Sequence, residues 1–421
     1  MHRKFFKHRL FKNTVALFVM QIFTYAAPFL ALPYLSRVLG PTGFGLLITT
    51  LSLILIANVL TDYGFSLSAT YIISRRKSQA RYISKVITAI YLIKAALLML
   101  ACIATAMYLS ITEEHTPLAT ISILSAIFFQ SYTSPWLFQG IEKMKNITYC
   151  TVASRSLYVV IIFFVVQHKG DYDKALFCNA ISAGVAFLLS NTLMAREGFR
   201  LSKPSKRLIK LLFSHSSNFF ISRITLQASS SFSVLLLSHT VGTGQVGLFG
   251  AAQKIFQALV SLMQPVNQAL YPYLANSKNT TIFFRIMAAS ALLMLPPVII
   301  AYFYSGEILA ICFGEPFRAG SEILRAFLIT SYVGVLTILM GYPAFAAVKR
   351  VDLANKSVII SSLIQAALLI ALYTADQANP LMIAYSILAT ESITLTLRSF
   401  WFYNLIAESN STNFKQIIKG E

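Results

Sequence analysis

Acidic residues are scarce in this chain. Only 15 Asp and Glu stand among 421 residues, against 35 Lys and Arg. All charged residues together make 12%, about half the share of an ordinary soluble domain. With 56% hydrophobic residues and a mean hydropathy of +0.67, this excludes a disordered chain and argues against a single soluble enzyme domain. Cysteine is nearly absent too. Cys102, Cys150, Cys178 and Cys312 show no C-x-x-C spacing and fall mostly in apolar runs, so they read as small apolar fillers rather than disulfides or ligands. The six His form no H-E-x-x-H pair. There is no G-x-x-x-x-G-K-[ST], so the chain does not hydrolyse ATP through a P-loop. No metal site and no cofactor is expected.

What remains is a formal charge of +20 in a very apolar chain. A strongly basic soluble protein would point to nucleic acid. Here the low total charge points instead to a multi-span membrane protein, with no nucleic-acid partner. A span needs about 20 apolar residues to cross a core about 30 Å thick. Twelve such runs occur, near 14–38, 45–73, 86–110, 118–140, 147–166, 175–195, 211–239, 246–275, 286–304, 323–347, 357–374 and 381–405. They are too long and too unbroken for outer-membrane strands. The basic start followed by an apolar run is read as an uncleaved first span rather than a signal peptide.

Loop charge sets the expected orientation, because cytoplasmic loops retain Lys and Arg. With the amino terminus inside, the inner segments hold 25 of the cations and the outer ones only Lys169, Lys174 and Arg318. Both termini are therefore expected in the cytoplasm.

Six spans precede the longest basic loop, Arg196 to Lys210, and six follow it. Sliding the chain by 202 residues sets SRVLGPTGFGLL on SHTVGTGQVGLF and pairs Gly40 with Gly242 and Gly45 with Gly247. The G-T-G-Q-V-G stretch joins two spans with no strand before it, so it is a turn and not a dinucleotide site. An even number of spans per half makes the halves parallel repeats, which in transporters enclose a central site. The expected fold is thus all-α and polytopic, with twelve transmembrane helices in two parallel six-helix repeats around a central cavity. The halves are residues 1–205 and 206–421.

Seven cations remain within spans or at their edges: Arg37, Lys94, Arg155, Arg223, Lys254, Arg325 and Arg398, against two acids, Asp62 and Glu391. Charge facing lipid costs several kcal/mol, so such residues face a cavity or a partner. At 1.5 Å per residue, Arg223 lies about 20 Å and Arg155 about 15 Å into the membrane. Both are read as cavity residues, with a buried structural pair as the alternative. Lys254, near Gln253, Gln257 and Gln264, is placed on a wet face, though it can also snorkel outward. Lys94 is left between the cavity and the inner interface. Arg37, Arg325 and Arg398 are assigned to interface anchoring. Asp62 and Glu391 are either counter-ions or coupling groups, and Arg398 shares a helix face with Glu391. Pro28, Pro33, Pro296, Pro297 and Gly64 mark expected bends.

Four stretches carry a family resemblance: APFLALPYLSRVLGPTGFG, TDYGFSLSAT, PWLFQGIEKMKNIT and AAQKIFQALVSLMQPVNQALYPYLA. Together they resemble the Wzx-type O-antigen flippases, polysaccharide transporters of the multidrug/oligosaccharidyl-lipid/polysaccharide superfamily. The resemblance covers essentially the whole chain. It implies a non-enzymatic flippase of the bacterial inner membrane. Its cargo would be an undecaprenyl-pyrophosphate-linked oligosaccharide, a lipid-linked unit of lipopolysaccharide biosynthesis, moved from the cytoplasmic to the periplasmic leaflet. A polysaccharide polymerase and a chain-length regulator are the implied partners. It also implies a cavity lined by spans one, two, seven and eight, which gives a substrate role to Lys254 and Arg223 and puts Asp62 in the span-two motif. The repeat partner of Arg223 is Gln21, so the halves would not contribute equal charge. Tyr25 and Tyr63 are expected to stack on sugars. Two other readings stay open: a multidrug exporter of the same superfamily, which would favour an acidic cavity, and a membrane polymerase, which would need a larger outer loop than 305–322.

Overall fold

The computed structural model describes residues 2–112, 116–277 and 280–419, leaving aside the side chains of 2–23, 25–29, 218, 221–223, 225–230, 268, 269, 272, 276 and 408–419. Every regular element among the described residues is helical, and nine stretches are long and apolar enough to cross a membrane. Helices dominate because a spanning segment must satisfy its backbone polar groups internally.

The chain forms two compact units, Met1–Gln227 and Ala228–Glu421. The first holds α1 (His2–Asp62), α2 (Phe65–Ser74), α3 (Ala80–Thr112), α4 (Pro117–Ser131), α5 (Pro135–Gly140), α6 (Met144–Val165), α7 (Tyr172–Arg196) and the start of α8 (Lys206–Thr240). The second holds the rest of α8 and α9 (Thr243–Ser261), α10 (Gln264–Ser277), α11 (Thr280–Phe303) and α12 (Ser305–Phe313). After a 3-10 turn (Glu315–Gly320) it continues with α13 (Ser321–Leu339), α14 (Tyr342–Ala347), α15 (Val351–Thr374) and α16 (Pro380–Lys419).

Interruptions, more than helices, give each unit its form. Within α1 the chain turns at Gly40, whose φ of 68° and ψ of 177° lie in a region essentially reserved for glycine. Its sequence partner Gly242, between α8 and α9, has φ 81° and ψ 159°. The two glycines paired at a spacing of 202 residues thus share one unusual backbone state. The bend expected at Gly64 is present: α1 ends at Asp62 and α2 begins at Phe65, with Tyr63 at φ 46° and Gly64 at φ 80°. By contrast, α11 runs unbroken through Pro296 and Pro297.

A second pair of interruptions repeats at a spacing of 207 residues. α5 follows a break after α4, and α14 follows a break after α13. Each short helix ends in a Schellman closure. The Lys143 amide donates to the Phe138 carbonyl at 2.8 Å, and the Arg350 amide to the Phe345 carbonyl at 2.9 Å. One residue earlier, Glu142 and Lys349 take φ values of 59° and 58° and donate to Gln139 and Ala346. Phe138 and Phe345 are both fully buried. Each elbow is seated in its own core, with Trp136, Ile73, Ile87 and Leu212 in the first unit and Phe283, Phe402 and Leu339 in the second.

The segment 305–322, expected as an open outer loop, is instead α12 plus the 3-10 turn. Ion pairs from Arg318 to Glu315 (2.9 Å) and Glu307 (4.0 Å) brace it. Sequence hydropathy registers these residues as a gap between spans, yet Leu309, Phe313 and Phe317 bury and hold the segment folded.

Candidate functional site

The membrane-embedded charges divide by what they touch. Lys94, on α3, is 3% exposed, and its Nζ donates to the Ser131 carbonyl at 2.7 Å. Ser131 Oγ donates in turn to Thr61 Oγ1 at 2.9 Å. Next to Thr61, at the end of α1, Asp62 accepts a 2.6 Å hydrogen bond from Ser66 and acts electrostatically on Lys94. The fold therefore brings Lys94 and Asp62 into one cluster at the break between α1 and α2.

Arg398 differs from its expected role. It is not an interface anchor: it is 7% exposed and donates from Nε to Ser357 Oγ at 2.8 Å and from Nη1 to the Thr337 carbonyl at 2.6 Å. The reason lies in α13, which ends two residues after Thr337 and leaves last-turn carbonyls without helix partners. Thr337 also donates from Oγ1 to the Glu391 backbone carbonyl at 3.4 Å, so it is the residue that links Glu391 to Arg398.

Arg325 is partly exposed. It reaches Ser305 at 3.2 Å and Glu322 at 3.5 Å, and it lies over the Tyr302 ring. Arg37 is exposed.

Lys254 and Arg155 are placed otherwise. Lys254, on α9, is half-buried, and its Nζ donates to Gln257 Oε1 at 3.2 Å. Gln257 is exposed while Gln253 is 5% exposed. Arg155, on α6, is half-buried one turn before the buried Tyr158. Among the described residues, no carboxylate lies within ion-pair distance of Lys254 or Arg155. The Arg223 side chain lies outside the described residues, as does that of Tyr25.

Tyr63 is committed to packing and not open to sugars. Its ring stacks on Phe213 (4.5 Å) and Phe220 (4.8 Å) of α8 and is only 9% exposed. The positive φ at Tyr63 turns the ring toward α8, an orientation that hydropathy does not encode. Beside it Ser68 and Ser216 hydrogen-bond at 2.6 Å, so this part of the serine-rich α8 packs rather than lines water.

Polar clusters also appear that sequence reading missed. Asn58 Nδ2 donates to Gln130 Oε1 at 2.6 Å, and Gln130 Nε2 to Asn179 Oδ1 at 3.5 Å, joining α1, α4 and α7. Tyr91 donates to Asn191 Oδ1 at 3.0 Å and bonds Ser134 at 2.8 Å. Amides spaced far apart in an apolar sequence were the only signal of these clusters.

Outside the spans, the basic loops are tied to nearby acids. Lys77 pairs with Glu142, and Lys143 with Glu197. At the other end of the first unit, Asp171 accepts from the Gln167 and His168 amides at 2.9 Å each and pairs with Lys174 at 2.8 Å. Burial alone would raise this carboxyl, but the Lys174 bond and the two amides outweigh it and hold it well below the usual carboxylate range.

Comparison with known proteins agrees with this architecture. Over 275 residues, 64% of this chain and 66% of the relative's length, the chain is 30% identical to a protein of Escherichia coli (strain K12) provisionally named an O-antigen transporter. A Shigella dysenteriae protein with the same provisional name is 26% identical over 344 residues, 78% of this chain and 84% of the relative. Among solved structures, the lipid II flippase MurJ in an inward closed conformation aligns with TM-score 0.72 at 14% identity, covering 97% of this chain and 93% of that one. That likeness establishes the fold. A family model described as polysaccharide biosynthesis protein matches residues 10–278, which include the breaks before α2 and α5, the Gly40 and Gly242 turns and Lys254. The chain belongs to the polysaccharide biosynthesis protein family.

Proposed function

We propose that this chain is a flippase that carries undecaprenyl-pyrophosphate-linked O-antigen or related oligosaccharide units from the cytoplasmic to the periplasmic leaflet of the bacterial inner membrane. The observation that carries the reading is the division of the embedded cations. Lys94 and Arg398 are bonded to helix ends, whereas Lys254 and Arg155 hold no carboxylate among the described residues. A pyrophosphate is the natural complement of such cations, because charge-assisted hydrogen bonds strengthen where water is scarce. The names of the curated relatives and the family membership support the same cargo class.

In this reading the chain carries out no covalent chemistry. The two six-helix halves, 1–205 and 206–421, alternate access to a central cavity as rigid bodies. Lys254, Arg223 and Arg155 hold the headgroup, and the lipid tail stays in the bilayer. Asp62 and Glu391 are the acids through which an ion gradient would act on the cycle. Both termini face the cytoplasm, and a polymerase with a chain-length regulator receives the flipped unit.

Headgroup translocation in vesicles tests the proposal. Lys254→Ala, Arg223→Ala and Arg155→Ala are expected to cut the rate about 10- to 100-fold each, the worth of one charge-assisted contact. Unaltered transport in all three removes the cationic cavity. For coupling, a rate that ignores imposed gradients and tolerates Asp62→Asn overturns that part alone.

A further inference from the structure

Four apolar runs, 45–73, 118–140, 246–275 and 323–347, are broken between α1 and α2, α4 and α5, α9 and α10, and α13 and α14, and each break leaves last-turn carbonyls without helix partners. A last turn leaves up to four such acceptors. In a hydrocarbon environment each unmet group costs several kcal/mol, so donors must be brought in from neighbouring helices. Two of the breaks are solved with a buried cation. The last turn of α4 receives Lys94 from α3, through the Ser131 carbonyl at 2.7 Å. The last turn of α13 receives Arg398 from α16, through the Thr337 carbonyl at 2.6 Å. A positive group at a helix carboxyl end also complements the helix dipole.

The two solutions use different helices for the same task. At the 207-residue spacing that sets the α5 elbow on the α14 elbow, Arg398 falls on Asn191. Asn191 already faces the first elbow: its Nδ2 donates to the Tyr132 carbonyl at 3.5 Å, and the adjacent Ser190 Oγ accepts from the Ser134 amide at 3.1 Å. The cation that the second unit supplies from this register position is supplied in the first unit by Lys94. The elbows are tight as well as capped. A Cβ on Gly341 would sit 3.0 Å from Arg398 Nη1, and one on Gly140 would sit 2.8 Å from Ile73.

We propose that Lys94 and Arg398 are positioning residues, not substrate contacts, and that they perform one duty: each clamps the broken end of the span that leads into an elbow, α5 or α14. The assignment stands on helix-end geometry and is independent of what the protein carries. It separates these two cations from Lys254, Arg223 and Arg155, whose part in the proposed function rests on cargo.

Hydrogen exchange on the full-length chain in lipid nanodiscs tests this. Lys94→Met is expected to speed exchange across residues 132–142 about tenfold, the effect of losing one charge-assisted bond, and to leave 340–349 unchanged. Arg398→Met is expected to do the reverse. Adding Asn191→Arg to Lys94→Met is expected to restore protection at 132–142 and to recover flipping with it. The double variant keeps the test open if Lys94→Met alone does not reconstitute, because it must then reconstitute where the single variant fails. Three results overturn the proposal. One is flipping lost while 132–142 stays protected, which assigns Lys94 to substrate. Another is an even rise in exchange across both units. The third is a double variant no better than the single.

If the flippase reading fails, the exchange pattern is unaffected. If the clamp fails, the vesicle results for Lys254, Arg223 and Arg155 stand.

Discussion

Lys94, Lys254 and Arg398 look alike as letters: each is a cation in an apolar run. Depth along the helix shows that they are embedded, but only the neighbours in space show which are spent on backbone carbonyls. Depth alone took Arg398, near the end of a run, for an anchor, because sequence does not reveal that α13 stops close by with open carbonyls. For Lys254 the bonding partner itself was within local reach, since Gln257 sits one turn away on the same helix. Asp171 supplies a measurable case at this scale. Its folded carboxyl titrates below its unfolded value of about 4. Its stabilising contribution is therefore fully present above about pH 4 and is lost as pH falls through the folded value. Thermal unfolding of the purified protein at pH 7 and pH 3 is expected to show a larger acid-induced drop for the parent than for Asp171→Asn. Equal drops would mean that the Lys174 pair and the two amides do not bias this carboxyl.

Among elements, the interruptions were partly readable. Gly64 announced a bend, and the Gly40–Gly242 pair announced a turn, because positive φ has few tolerant residues. The proline pair in α11 lies within a continuous helix, since neighbouring helices can absorb the lost hydrogen bonds. The breaks before α5 and α14 escaped notice because the apolar runs continue across them. Two glycines separate backbone strain from crowding. Gly64 and Gly198 share positive φ, but a Cβ on Gly64 would meet Phe219 Cβ at 2.7 Å and the Ser216 carbonyl at 2.9 Å, whereas Gly198 has open space. Gly64→Ala is expected to cost about 2–4 kcal/mol and Gly198→Ala about 1 kcal/mol. Melting points in one detergent rank them, and equal losses would show that the α2–α8 contact adds nothing.

For the whole molecule, orientation is the property that charge counting addresses most directly. An impermeant thiol reagent applied to intact cells is expected to label a single cysteine introduced at Lys169 and to miss one at Lys203, in a background lacking Cys102, Cys150, Cys178 and Cys312. Labelling at Lys203 alone would invert the topology. The internal repeat was legible at the same scale through two glycines, and the folded chain adds the paired Schellman closures at Glu142 and Lys349, where sequence identity had faded. Backbone geometry outlasts side-chain identity because a helix in lipid must end with its carbonyls met, whichever residues do it.

The sequence by itself determined that this chain is a multi-span membrane protein and which of its segments are basic, since hydropathy and charge act locally and add along the chain. Only the tertiary structure decided which embedded cations are spent on backbone carbonyls. That depends on where helices break and which neighbour reaches the exposed carbonyls. Lys94 and Ser131 are 37 positions apart, and Arg398 and Thr337 are 61 apart, distances at which no local pattern carries information.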